Sequence, residues 1–156
     1  MTVSAWRIVK RKLAREAFSG EGARLYGGRW NSPGVLVVYT AQSQSLAALE
    51  MLVHLENPDV LAEYVVIEAR FADSLITRVP RASLPNDWRA SPAPASARAI
   101  GDAWIAAEPS AVLQLPSAII PAENNFLLNP QDHDFAQIEI GEPPEFEFDL
   151  RLIHEV

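Results

Sequence analysis

Hydrophobic and polar positions recur with different periods along this chain, and the period identifies the element. Residues 35–41 form an apolar run read as a strand, with Val35, Val37, Tyr39 and Ala41 on one face and Leu36, Val38 and Thr40 on the other. Apolar residues on both faces predict a central strand covered on both sides. Ser43 then caps a helix expected to run to about Glu56, ahead of Pro58. At 100° per residue its apolar stripe is Leu46, Leu49 and Val53, and Glu50 falls about 40° from Leu46, at the rim of the buried face. His54 follows one turn later on the same side.

The remaining pattern is shorter-ranged. Residues 4–9 predict a strand with Trp6 and Ile8 on one side and Arg7 on the other, the arginine reading most simply as a solvated group on a strand edge. Residues 10–18 predict a short basic helix and residues 19–22 a loop. Residues 62–72 predict another strand, with Val65, Ile67, Ala69 and Phe71 on one side. Four prolines between positions 73 and 95 predict a long surface loop, and Ser96 is expected to cap a helix to about Glu108 with Ile100, Ala103, Trp104 and Ala107 as its core stripe. A short strand over residues 111–115 precedes a polar cluster, Glu123, Asn124 and Asn125, that suits a capped turn. Strands over residues 135–140 and 146–152 close the chain. Six to eight short strands with two or three flanking helices, not in βαβ alternation, define an α+β fold of mixed short-strand sheets.

Composition sets bounds on this picture. A chain of 156 residues, 49% hydrophobic and 21% charged, is expected to form one domain over residues 1–156 with a core of its own. There is no apolar run of signal-peptide or membrane-spanning length, so the expected location is the cytoplasm, without membrane contact. The formal charge of -7 is uneven: residues 1–31 hold seven of the thirteen Lys and Arg against only Glu16 and Glu21, a local +5 that leaves -12 for the remainder. That basic segment suits either a solvated helix face or an anion site for a small molecule; direct nucleic-acid binding is not expected, because the rest of the surface repels phosphate.

The chemistry is narrowed mainly by exclusion. With no cysteine, disulfides and thiolate metal sites are ruled out. His54, His133 and His154 have no ligand spacing, and no metal is expected. Gly20 and Gly22 lack the third glycine of a dinucleotide fingerprint, no Walker A loop occurs, and no Gly-x-Ser-x-Gly elbow is present. Asp132-His133-Asp134 reads as a loop cap. A carboxylate at the rim of a buried face must be paired, hydrogen-bonded or functional, and periodicity leaves these readings of Glu50 open. One carboxylate, one or two arginines, an aromatic and a polar Ser/Asn loop suit cleavage of an N-glycosidic bond in a dinucleotide. Arginines would pair with the pyrophosphate, and the carboxylate would stabilise an oxocarbenium-like transition state.

Several segments together carry a resemblance. They are Trp6-Arg7, Gly27-Gly28-Arg29-Trp30-Asn31, Val38-Tyr39-Thr40-Ala41, Leu46-Ala47-Ala48-Leu49-Glu50 with His54, Leu115-Pro116-Ser117, and residues 123–130. In this order they resemble the RES-domain toxins of bacterial RES–Xre toxin–antitoxin modules. The resemblance implies an ADP-ribosyltransferase-like fold, NAD as a consumed substrate, and an Xre-type antitoxin as partner. It also implies a homodimer within a larger complex. Arg29, Tyr39 and Glu50 match the family's central Arg, Tyr and Glu, which implies that they are the catalytic residues. Arg7, Arg29, Tyr39, Ser117 and Asn125 are implied to hold or order the dinucleotide. Position 48 is alanine where arginine-modifying transferases carry a second acidic residue, which weakens an arginine acceptor. Water, phosphate and a protein remain open as acceptors of ADP-ribose. A non-catalytic docking or nucleotide-binding module is the alternative from another functional class.

Overall fold

The structure is a computed structural model that describes residues 1–55 and 62–152; His154 lies outside them, and the helix expected to run to about Glu56 ends at Leu52. One sheet organises the fold. Its strands are β1 (Thr2–Lys10), β2 (Val38–Ala41), β3 (Tyr64–Ala72), β4 (Ile76–Arg78), β5 (Val112–Pro116), β6 (Asn124–Leu128), β7 (Glu139–Ile140) and β8 (Glu145–Phe146). The spatial order is β4-β5-β6-β2-β1-β3-β7, with β8 also on β3. Only β4 and β5 run parallel among the described pairs. Among the described residues three α-helices flank the sheet: α1 (Glu21–Tyr26), α2 (Gln44–Leu52) and α3 (Ala95–Ala107). The α+β class expected from the pattern holds, with the strands gathered into one sheet.

Register sorts the two faces. Leu113, Leu127 and Tyr39 lie directly opposite one another across β5, β6 and β2, as do Val112, Leu128 and Val38 one residue along. Paired residues share a face and successive ones alternate. The Leu113–Leu127 row therefore meets α3, packing with Trp104, Ala97, Val37 and Trp30. The Val112–Leu128–Val38 row packs with Phe71, Phe126 and Ile138 on the other side. A third cluster seats α2 through Leu46 and Ala47 on Ile8, Ala41 and Tyr64.

Strand β1 pairs with β3 over nine residues but meets β2 in register only at Trp6 and Ala41. The central strands thus part beyond that point. Arg7 is consequently not an edge residue: β1 lies inside the sheet between β2 and β3.

Other expectations need correction. Residues 19–22 are not simply a loop, since α1 starts at Glu21. The basic helix after β1 is a 3-10 turn, Arg11–Glu16. The long loop after residue 73 contains a 3-10 turn and β4, whose three residues offered too short a pattern to detect. Residues 124–128 form the buried strand β6, not a capped turn: the two asparagines begin it, with their polar groups bonded to β2 and to Gln42. The strand expected over 135–140 is a 3-10 turn, His133–Gln137, followed by the two residues of β7. The last expected strand reduces to β8 and a further 3-10 turn, Leu150–Leu152. In α2 the Ser43 cap is present, accepting from the Leu46 amide, but Leu49 and Val53 are exposed and Leu46 and Ala47 are the buried residues. The side packed on the sheet lies about one residue round from the predicted stripe. In α3 the cap position is Pro94 and Ser96 bonds Asp87 instead. Its buried face is Ala97, Gly101 and Trp104, because a side chain at 101 would collide with the Trp30 carbonyl, 1.8 Å from an added Cβ.

Candidate functional site

An open cleft of about 1360 Å³ runs between the glycine turn 27–34, strands β1 and β2, the exposed side of α2 and the segment before α3. Arg7, Arg29, Tyr39, Glu50 and Asn125 all line it. Five of the six residues expected to form a site, drawn from β1, β2, α2, β6 and the glycine turn, therefore converge on one surface. Ser117, the sixth, is fully buried beside it.

The glycine turn is built around Asn31, itself fully buried. Its Nδ2 donates to the carbonyls of Ala23 (3.0 Å), Ser32 (3.2 Å) and Val35 (3.3 Å), and its Oδ1 accepts from the Tyr39 phenol at 2.6 Å. The Trp30 amide donates to the same phenol oxygen at 3.0 Å. Tyr39 is thus pinned at its tip, and burial pushes its phenol well above the ordinary range. The phenol lies so close to Gly28 that an added Cβ there would stand 2.6 Å from Oη. From the other side, Asp102 on α3 accepts from both the amide (2.8 Å) and hydroxyl (2.6 Å) of Ser32, fastening the turn to the helix.

Where β1 and β2 part, the Tyr39 carbonyl faces β1 and accepts from Arg7 Nη1 at 3.0 Å. Arg7 Nε is enclosed and has no partner, and burial pulls the guanidinium down to about 10. Arg29 donates from Nη1 to the carbonyls of Trp88 (2.9 Å) and Ala90 (2.8 Å). Glu50 is half-buried. Its Oε1 accepts from Ser117 Oγ at 2.7 Å, and Ser117 Oγ in turn accepts from the amides of Ile119 (3.1 Å) and Ile120 (3.2 Å). Ser117 therefore acts on the cleft through Glu50. Asn125 Nδ2 bonds the Thr40 carbonyl at 3.2 Å and keeps β6 against β2 at the cleft floor. His54, just past the end of α2, also lines the cleft.

Sequence reasoning missed four contributors. Asn31 and Asp102 carry no periodic signal that separates a buried bracing residue from a loop or helix polar residue. Arg89 and Arg98 line the same cleft from the proline-rich segment and the start of α3. Among the described residues the cleft lining thus holds four arginines and a single carboxylate, Glu50. Asp132 caps the following 3-10 turn through the Asp134 amide, in keeping with the cap reading of that triplet. No described helix is long and apolar enough to cross a membrane.

Such a site favours an elongated anion carrying an aromatic or sugar group near a fixed carboxylate. Residues 4–150 match the RES domain. The chain is 40% identical to Toxin Res of Yersinia enterocolitica over 148 residues, 94% of this chain and 97% of that one. It is 36% identical to the Prs ADP-ribosylating toxin of a Sphingobium strain over 158 residues, 98% of each. In fold it is similar to a chain of the Mycobacterium tuberculosis MbcT–MbcA toxin–antitoxin complex, at 22% identity with a TM-score of 0.75, covering 94% of this chain and 85% of that one.

Proposed function

The chain belongs to the RES-domain family, and from that premise we propose that it is the toxin of a toxin–antitoxin pair that consumes NAD. The observation that carries this reading is a carboxylate fixed by a buried serine in a cleft whose lining also holds four arginines. NAD fits these residues. Its pyrophosphate needs cations that no protein carboxylate has already claimed, and the enclosed, unpartnered Nε of Arg7 calls for an acceptor.

In this reading Arg7 and the free edge of Arg29 hold the pyrophosphate, and Tyr39, immobilised by Asn31 and Trp30, forms the flat wall for nicotinamide. Glu50, oriented by Ser117, faces the ribose. The nicotinamide–ribose bond breaks with its electron pair leaving on nicotinamide, which departs neutral, and Glu50 stabilises the positive charge that develops on the sugar. The acceptor's lone pair then bonds the anomeric carbon and the acceptor loses its proton. A protein acceptor is supported by the name of the Sphingobium relative. An antitoxin partner is supported by the structural neighbour, which comes from a toxin–antitoxin complex; the Xre type and a homodimer are read from the family resemblance.

The test is release of nicotinamide from NAD by purified protein, with and without lysate, beside Glu50→Gln. Wild type should release nicotinamide and arrest growth when expressed alone, and Glu50→Gln should lose roughly 10² or more of the rate. With labelled NAD, label on a protein band marks transfer, whereas free ADP-ribose or its phosphate marks depletion. NAD left intact in every arm would refute the catalytic reading and leave a docking module.

A further inference from the structure

The segment 85–94 is proline-rich, and its composition is that of an idle surface loop. The structure ties it down at both sides of the cleft. On the side of the glycine turn, Arg29 holds the Trp88 and Ala90 carbonyls, and the Trp88 ring stacks on buried Trp30 with centroids 5.9 Å apart and planes at 21°. On the opposite side, Arg89 Nε donates to the Ala118 carbonyl at 3.0 Å. At its base, Arg98 donates to the Ala93 carbonyl and Ser96 Oγ to Asp87. Arg89, Ser91, Pro92 and Ala93 face the cleft along the way. The segment is a strap that joins the wall carrying Arg29 to the turn 117–120.

That turn carries the hydroxyl that orients Glu50. Ala118 directly follows Ser117, and its two successors supply the amides bonded to Ser117 Oγ. A bond to the Ala118 carbonyl therefore acts on the turn at its centre. An exposed arginine held by one carbonyl is a weak tie by itself, since it must give up rotamer freedom to form. Here the strap is already ordered by Arg29 and the tryptophan pair, so much of that cost is met elsewhere.

We infer that Arg89 is a positioning residue for Glu50. By clasping the strap to Ala118 it fixes the 117–120 turn, and through Ser117 the direction of the carboxylate. The inference rests on the proposed role of Glu50, but its structural signature is independent of turnover. Arg29, matched above to a dinucleotide-holding role, serves the same strap from the far side.

The experiment compares wild type, Arg89→Ala and Arg89→Lys by amide hydrogen exchange, by affinity for ADP-ribose, and by kcat and KM for NAD. In Arg89→Ala the Ile119 and Ile120 amides should exchange about ten-fold faster. The same variant should lose about ten-fold in kcat, with KM and ADP-ribose affinity within about two-fold of wild type. Arg89→Lys should recover most of both effects, because an ammonium still donates to the Ala118 carbonyl. Unchanged exchange in Arg89→Ala overturns the inference whether or not NAD is consumed. So does faster exchange with an unchanged kcat, and so does a weakened ADP-ribose affinity at constant kcat, which would assign Arg89 to ligand contact. Wild type that leaves NAD intact refutes the proposed function alone, and the exchange rates still decide whether the clasp exists.

Discussion

Gly28→Ala adds a single methyl group at the most crowded point of the cleft. The new Cβ would stand 2.6 Å from Tyr39 Oη, 2.8 Å from Tyr39 Cζ and 3.0 Å from Asn31 Oδ1. None of these atoms yields cheaply. The phenol is held by Asn31 and the Trp30 amide, and Asn31 is fully buried with its amide nitrogen committed to three carbonyls. Overpacking costs about 1–3 kcal/mol, and losing either phenol bond adds about 1 kcal/mol. The sum at this site is roughly 2–4 kcal/mol. Because the displaced ring also walls the cleft, affinity for ADP-ribose should fall roughly ten- to hundred-fold. The control is Gly22→Ala, also on the cleft lining but with nothing within 4 Å of the added Cβ. It sits inside α1, where alanine is the better helix former. Urea midpoints and calorimetric titration with ADP-ribose read both effects. If Gly28→Ala matches Gly22→Ala in both, the pinned-phenol account is wrong.

The same geometry makes Asn31 and Arg7 testable. Asn31→Ala removes its bonds to three carbonyls and takes the acceptor from the Tyr39 phenol, and should cost about 2–4 kcal/mol in stability, read from the denaturation midpoint. Asn31→Asp should do no better, since a carboxylate cannot donate to those carbonyls; stability equal to wild type in either variant would refute the bracing role. For Arg7 the variable is pH. Burial lowers the folded Arg7 to about 10, below its ordinary value, so the penalty for burying its charge is fully present below about pH 10. That penalty is relieved as pH rises towards the unfolded value, and the group's contribution to stability improves with pH across this window. Anion binding runs the opposite way. ADP-ribose affinity should decline as pH passes about 10 in wild type, and this decline should vanish in Arg7→Gln. Burial holds the Tyr39 phenol above its ordinary range, so it titrates later than Arg7. A wild-type affinity that is flat across it would remove Arg7 from the binding account.

What could be read from sequence depended on whether a residue's role is periodic. Strand β2 was legible as an apolar run, and β3 because its apolar residues alternate. The N-terminus of α2 was legible because Ser43 is a local cap. Strand β6 was hidden because it opens with two asparagines, and in a loop the same residues would satisfy turn backbone. Its burial depends on partners about 80 residues away in the chain, Thr40 and Gln42. The closing strands were over-read because alternation in residues 146–152 continues past the point where pairing with β3 ends at Phe146 and Tyr64. In the site, Glu50 was legible as a misplaced carboxylate, but its partner Ser117 and the bracing by Asn31 and Asp102 came from contacts that local pattern does not encode.

The arrangement of arginines explains how a chain of net charge -7 can keep an anion site. Away from the cleft, Arg11, Arg24, Arg70, Arg78 and Arg151 each sit against a carboxylate. Those pairs are exposed and add little to stability, but they neutralise the cations locally. On the cleft the rule reverses. Arg7, Arg29, Arg89 and Arg98 are held by main-chain carbonyls, and none has a carboxylate partner among the described residues. A carbonyl fixes the direction of a guanidinium without cancelling its charge, and each fork keeps N–H groups for a further acceptor. Had acidic side chains done the anchoring, an incoming pyrophosphate would have had to break ion pairs before forming its own. The sole carboxylate in the lining among the described residues is Glu50, and it is bonded to a neutral hydroxyl from Ser117. In Arg7 and Arg29 the cleft therefore offers uncancelled cations beside an uncancelled anion in Glu50, which suits a ligand that is negative along its length and becomes positive at one carbon.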